Sequence, residues 1–174
     1  MLIKIIYVVT IIILNSTSSW AVEKPAVIFF KVMTLETAQN LTPCILNDCR
    51  EKRYEVAVSV VDRFGNLQIT SRDGFDVGHT PETAQRKAWV AVSFNSDTLT
   101  FAEETNAETA ASRVRFIANA LMLGIGVPVQ SRDSILGAIG ASGAPSEFRD
   151  NECARVGIDS IPNSLEFLNV PKSD

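Results

Sequence analysis

His79 is the only histidine in this chain of 174 residues, and that scarcity narrows the chemistry open to it. A site built from two or more histidines, including a histidine-rich zinc site, cannot form within one chain. A nucleophilic triad would have to use His79, yet no serine sits in a G-x-S-x-G elbow and no local pattern marks a nucleophile. What remains is a single imidazole able to touch a ligand. It follows the loop Arg72-Asp73-Gly74-Phe75-Asp76-Val77-Gly78, where side chains are exposed, and precedes a helix start that would fix its direction. Arg86 and Lys87, one to two turns further on, and the positive end of that helix suit a carboxylate. On the plainer reading, His79 is a loop residue bonding nearby backbone, and Arg86 and Lys87 are solvated.

The other candidate groups point away from catalysis. Cys44, Cys49 and Cys153 lack zinc spacing. Gly137, Gly140 and Gly143 are not followed by Lys-Ser or Lys-Thr, so they do not form a phosphate loop. Glycines so placed in a strand pack backbone closely against a helix or a partner chain.

These residues need elements to hold them. From Thr34 to Lys52, apolar or small residues at Leu35, Ala38, Thr42, Ile45, Leu46 and Cys49 mark one helical face. Pro43 either kinks that helix or restarts it with Thr42 as the cap. Residues 55–62 alternate Val56, Val58 and Val60 against Ala57, Ser59 and Val61, as a strand does. Arg63-Phe64-Gly65-Asn66 turns the chain, and Leu67–Ser71 returns as the second arm of a hairpin. Thr80 as cap, Pro81 at the first helical position and Glu82 in the first turn predict a helix running to about Asn95. Its stripe of Ala84, Ala88, Ala91 and Val92 is narrow enough to lie close on a sheet. Leu121–Gln130 and Ile135–Ala141 read as strands around a turn at Arg132-Asp133. A last helix opens at Pro145-Ser146 and stops before Pro162. The succession predicts a single α+β domain, an antiparallel sheet layered with helices.

At the amino terminus, Lys4, the apolar run Ile5–Leu14 and a short polar stretch form a signal peptide, with Ser19-Trp20-Ala21 as the cleavage site. Residues 1–21 are therefore expected to be removed and 22–174 to form the domain, periplasmic or secreted. The alternative, an uncleaved anchor, is disfavoured because a bilayer span needs about 20 apolar residues. Without Lys4, 15 basic residues face 20 acidic ones. That balance argues against a nucleic acid or an anionic membrane as partner. In an oxidising compartment, Cys49 late in the first helix and Cys153 early in the last are expected to pair, with Cys44 free. Cys44 and Cys49 diverge on one helix. The rival is three buried, reduced thiols.

Several segments, in order, resemble GlcG/HbpS-like proteins. Val58-Ser59-Val60-Val61-Asp62-Arg63-Phe64-Gly65-Asn66-Leu67 is similar to that family's V-x-V-V-D-R-x-G-N-L segment. Gly78-His79-Thr80 with Ala84-Gln85-Arg86-Lys87-Ala88-Trp89 resembles the G-P-H-T and A-R-R-K-A-[YW] stretches of one branch, although the proline of G-P-H-T is missing. Gly124-Ile125-Gly126-Val127-Pro128-Val129 matches a strand entry whose middle glycine is here Ile125, and Leu136–Pro145 is similar to V-G-A-I-G-V-S-G-A-P. Cys153-Ala154 with Gly157 resembles the helix that follows. The resemblance implies a five-stranded antiparallel sheet flanked by helices, a homo-oligomer, and haem or a related planar tetrapyrrole as ligand. His79 is then the candidate iron ligand, with Thr80, Arg86 and Lys87 as further binding residues. Haem breakdown, or a non-catalytic role as accessory to a sensor, are the alternatives.

Overall fold

The computed structural model describes residues 26–124, 126–131 and 134–159, without the side chain of residue 147. The expected signal peptide and the turn at Arg132-Asp133 lie outside the described residues. In chain order the elements are α1 (Leu35–Glu51), β1 (Ala57–Asp62), β2 (Leu67–Arg72), α2 (Thr80–Phe94), α3 (Thr98–Glu104), a 3-10 turn (Ala110–Phe116), β3 (Gly126–Ser131), β4 (Ser134–Ser142) and α4 (Glu147–Asp159). The strands form one antiparallel sheet in the order β2-β1-β4-β3.

The class is α+β, as the pattern predicts, but the described sheet has four strands, not the five that the family resemblance implies. The residue pattern marks four strands, and those four form. The strand predicted from Leu121 begins instead at Gly126, for a reason of register. Gly126 stands opposite Gly140 and β4 ends at Ser142, so residues before 124 have no partner to pair with.

β1 is central and covered on both faces, which is why five of its six residues are buried. Val58 and Val60, with Ile139 and Val129, pack under α1 and α4 in the main core. Val61 and Ala138 meet Ala88, Ala91 and Val92 of α2 on the other side. The expected close packing is seen at two paired strand glycines. A methyl group on Gly126 would stand 2.0 Å from the carbonyl oxygen of Lys87, and one on Gly140 2.0 Å from that of Ala84. The backbone of α2 therefore rests directly on the sheet.

Pro43 does not restart α1, which continues through it from its cap Thr34 to Glu51. Pro43 lies on the exposed face, so water can satisfy the Gln39 carbonyl that its missing amide leaves unbonded. Thr42 donates its hydroxyl to Ala38 O, 2.8 Å away. On the buried face, Cys49 and Cys153 form a disulfide joining α1 to α4, with Cα atoms 5.6 Å apart, while Cys44 is free and exposed. No helix among the described residues is long and apolar enough to cross a membrane.

Candidate functional site

Antiparallel register gathers three loops at one end of the sheet. Ala57 opens β1 opposite both Arg72, the last residue of β2, and Ser142, the last of β4. The α1–β1, β2–α2 and β4–α4 connections must therefore meet there, and α2 starts among them. Gly143, at φ +128°, lets the third loop approach closely: an added Cβ would lie 2.4 Å from Glu55 O and 3.0 Å from Asp76 Oδ1.

Two buried carboxylates, not singled out by the sequence reading, shape the β2–α2 loop. Asp73 accepts from Arg50 Nε at 2.8 Å. Asp76 accepts the Val77 amide at 2.8 Å and the Thr80 hydroxyl. These bonds fold residues 73–80 back on themselves and turn Phe75 and Val77 outward, 92% and 55% exposed. The D-x-x-D spacing ahead of a threonine was the available signal, since Asp favours such local turns.

Thr80 is accordingly not the cap. It is the first helical residue, its hydroxyl held by Asp76 and Val77 O, and His79 occupies the cap position without a side-chain cap bond. The imidazole is exposed and has no hydrogen-bond partner among the described residues. Only the His79 carbonyl is engaged, by the amide and hydroxyl of Thr83.

The helical period separates Arg86 from Lys87. Seven residues after His79 return to within about 20° of its direction, and eight turn about 80° away. Arg86 shares the outer face with His79, about 10 Å further along the axis. It lines a shallow groove with Glu82, Gln85, Trp89 and Asn119, and reaches the Asn119 and Ala120 carbonyls at 3.5 and 3.4 Å. Lys87 points inward instead and is 3% exposed. Its Nζ donates to Asp150 Oδ2 at 2.9 Å and to Ala141 O at 3.0 Å. Lys87 thus does not join His79 and Arg86 at the surface, contrary to its expected place beside a ligand carboxylate.

A cleft of ≈ 260 Å³ opens at the loop junction, on the Phe75–Val77 side of the segment leading to His79. Arg53, Tyr54 and Glu55 form one wall, Phe75, Asp76 and Val77 another, and Gly143 and Pro145 the third. Arg53 and Tyr54 join the site only through tertiary structure. The cleft combines the apolar side chains of Tyr54, Phe75, Val77 and Pro145 with the charged groups of Arg53, Glu55 and Asp76. No group of three or more metal-ligating side chains occurs among the described residues.

A family model described as haem degrading protein HbpS-like matches residues 33–159. The chain belongs to the HbpS-like family. Crystal structures of HbpS are among the similar folds: one is 30% identical, with a TM-score of 0.74, covering 81% of this chain and 98% of that one. A double mutant of HbpS from Streptomyces reticuli gives the same identity and TM-score, with 94% of its chain covered. The protein ORFY of Klebsiella pneumoniae shares the fold at 23% identity and a TM-score of 0.75, covering 79% of this chain and 95% of its own. PduOC, solved as a complex with haem, does so at 22% and 0.70, with 75% and 96% covered. No curated protein matches the chain in sequence. The HbpS-like match spans all nine elements from α1 to α4, so the loop junction and His79 lie within the family domain.

Proposed function

We propose that this HbpS-like chain is an exported protein that binds haem or a related planar tetrapyrrole, with His79 as the axial ligand to iron. The observation that carries the reading is the His79 imidazole itself: exposed, without a ring hydrogen bond among the described residues, and at the end of a loop whose Phe75 and Val77 are also exposed. A neutral imidazole is a common haem ligand, and apolar side chains beside it cover a porphyrin face. Bound haem supplies redox-active iron at the site, and the residues hold and orient it. Thr80, through Asp76, fixes the backbone from which His79 projects. Arg86 lies on the same helical face for a propionate, and Arg53 lines the cleft. The cleft is smaller than the roughly 300–1,000 Å³ of ordinary ligand pockets, so it takes an edge of the macrocycle and leaves the other face to solvent or a second subunit. Assembly as a homo-oligomer belongs to this reading.

Haem breakdown is the second reading, favoured by the description of the family. Titration with haemin separates the two. A stable, shifted Soret band means binding, and bleaching on addition of reductant means degradation. His79→Ala should abolish the shifted band while leaving the far-ultraviolet circular dichroism unchanged. Equal affinity in the alanine variant would remove His79 from the site, and a parent that does not respond to haemin would remove the function.

A further inference from the structure

Four residues of α2 line the shallow groove that lies away from the loop junction. Glu82, Gln85, Arg86 and Trp89 stand at i, i+3, i+4 and i+7, one side of a helix. Opposite them, a turn closed from Ala120 N to Ile117 O at 3.0 Å presents Asn119 at φ +69°, a backbone state that asparagine tolerates. The groove measures ≈ 150 Å³. A cavity of about 150 Å³ takes a benzene ring, so there is room here for one six-membered ring.

The aromatic wall is fixed, while the polar ends around it are scarcely engaged. The indole of Trp89 is seated against the β1–β2 turn, where a Cβ on Gly65 would stand 2.7 Å from its Cδ1, and it meets Phe94 edge to face at 6.4 Å. The amide groups of Gln85 and Asn119 make no side-chain hydrogen bond among the described residues. Arg86 is held only by its long contacts to the Asn119 and Ala120 carbonyls, and its Nη1 stands 3.9 Å from Glu82 Oε1.

We infer that this groove binds one neutral sugar ring, either a free monosaccharide or the end residue of a glycan. The groups present select for that chemistry. A small anion drawn to Arg86 would also meet the Glu82 carboxylate, which already offsets the guanidinium. A wholly apolar ring would cover the polar ends of Gln85, Arg86 and Asn119 without pairing them, which costs free energy for each group. A pyranose avoids both costs. Each hydroxyl donates and accepts, the two amides do the same, Arg86 donates and Glu82 accepts, while the C–H face of the ring lies against the indole. The inference does not rest on the haem reading, with which it shares only Arg86.

Trp89 is the one tryptophan of residues 22–174, so its fluorescence reports on the groove. Purified exported protein, with no haemin added, is titrated with the methyl glycosides of glucose, galactose, mannose and N-acetylglucosamine. At least one should shift the emission saturably, with a Kd of about 1 mM for a ligand of about a dozen heavy atoms. The double variant Gln85→Ala and Asn119→Gly should bind that glycoside about tenfold more weakly with unchanged circular dichroism, because alanine suits a helix and glycine a positive φ. His79→Ala should bind it as the parent does. Cellobiose, lactose, mannobiose and chitobiose separate the two sources: a disaccharide held more tightly than its methyl glycoside identifies the end of a glycan, and equal affinity a free sugar. A parent that responds to none of these sugars, or a double variant that binds as the parent does, overturns the inference and leaves the haem reading standing. A response to sodium benzoate alone overturns it as well and gives the groove to carboxylates.

Discussion

Replacing Lys87 with methionine separates a structural lysine from a ligand-binding one. The ammonium is 3% exposed and sits between Asp150 Oδ2 at 2.9 Å and Ala141 O at 3.0 Å. Methionine keeps the aliphatic length but takes the Lys87 cation away from the Asp150 carboxylate, which is 6% exposed. Removing one member of a buried pair costs about 3–5 kcal/mol, because the remaining charge has lost its solvent and its partner. Total stability of such a domain is only about 5–15 kcal/mol, so the loss is a large fraction of it. Asp150 Oδ1 also accepts the Ala144 amide at 2.9 Å, so a displaced carboxylate disturbs the third wall of the cleft. Urea denaturation should show the midpoint falling sharply with the slope nearly unchanged. Haemin affinity of the folded protein should change far less than in His79→Ala, since Lys87 does not reach the surface. A stability loss below about 1 kcal/mol would refute the reasoning about burial. A normally stable variant that has lost haemin would restore Lys87 as a ligand.

Gly140→Ala should destabilise by at least about 1–3 kcal/mol, because its methyl group would meet backbone atoms of α2 that cannot swing aside. Gly74→Ala, with nothing within 4 Å of the added carbon, is the matched control and should be neutral within about 1 kcal/mol in the same urea titration. Peptide mapping of exported material under non-reducing conditions should return Val22 as the first residue, a Cys49–Cys153 linked peptide and a free Cys44. Closing a separation of 104 residues, that bond contributes about 4–5 kcal/mol in the chain-entropy model. A free Cys153 in oxidised protein, or Met1 at the amino terminus, contradicts the corresponding part.

Local chemistry by itself determined most of the elements, though not α3 or the 3-10 turn after it. Alternating valines specified β1, the Pro81-Glu82 start specified α2 to within one residue, and small side chains at Ala84, Ala88 and Ala91 announced a helix lying close on a sheet. These signals are readable because each depends on neighbours within a turn or a strand pair. The same sequence could not say that residues 121–123 stay outside β3, since that limit is set by where its partner β4 ends. It placed Arg86 and Lys87 together because adjacent residues look alike in a line. The fold divides them, since a helix resting on a sheet sends one toward solvent and the next into the core, where Asp150, 63 residues later, meets it. The site was legible in the same measure. His79 could be named because the chain has one histidine. Arg53, Tyr54 and Gly143 could not, because only antiparallel register brings their three loops to the same end of the sheet.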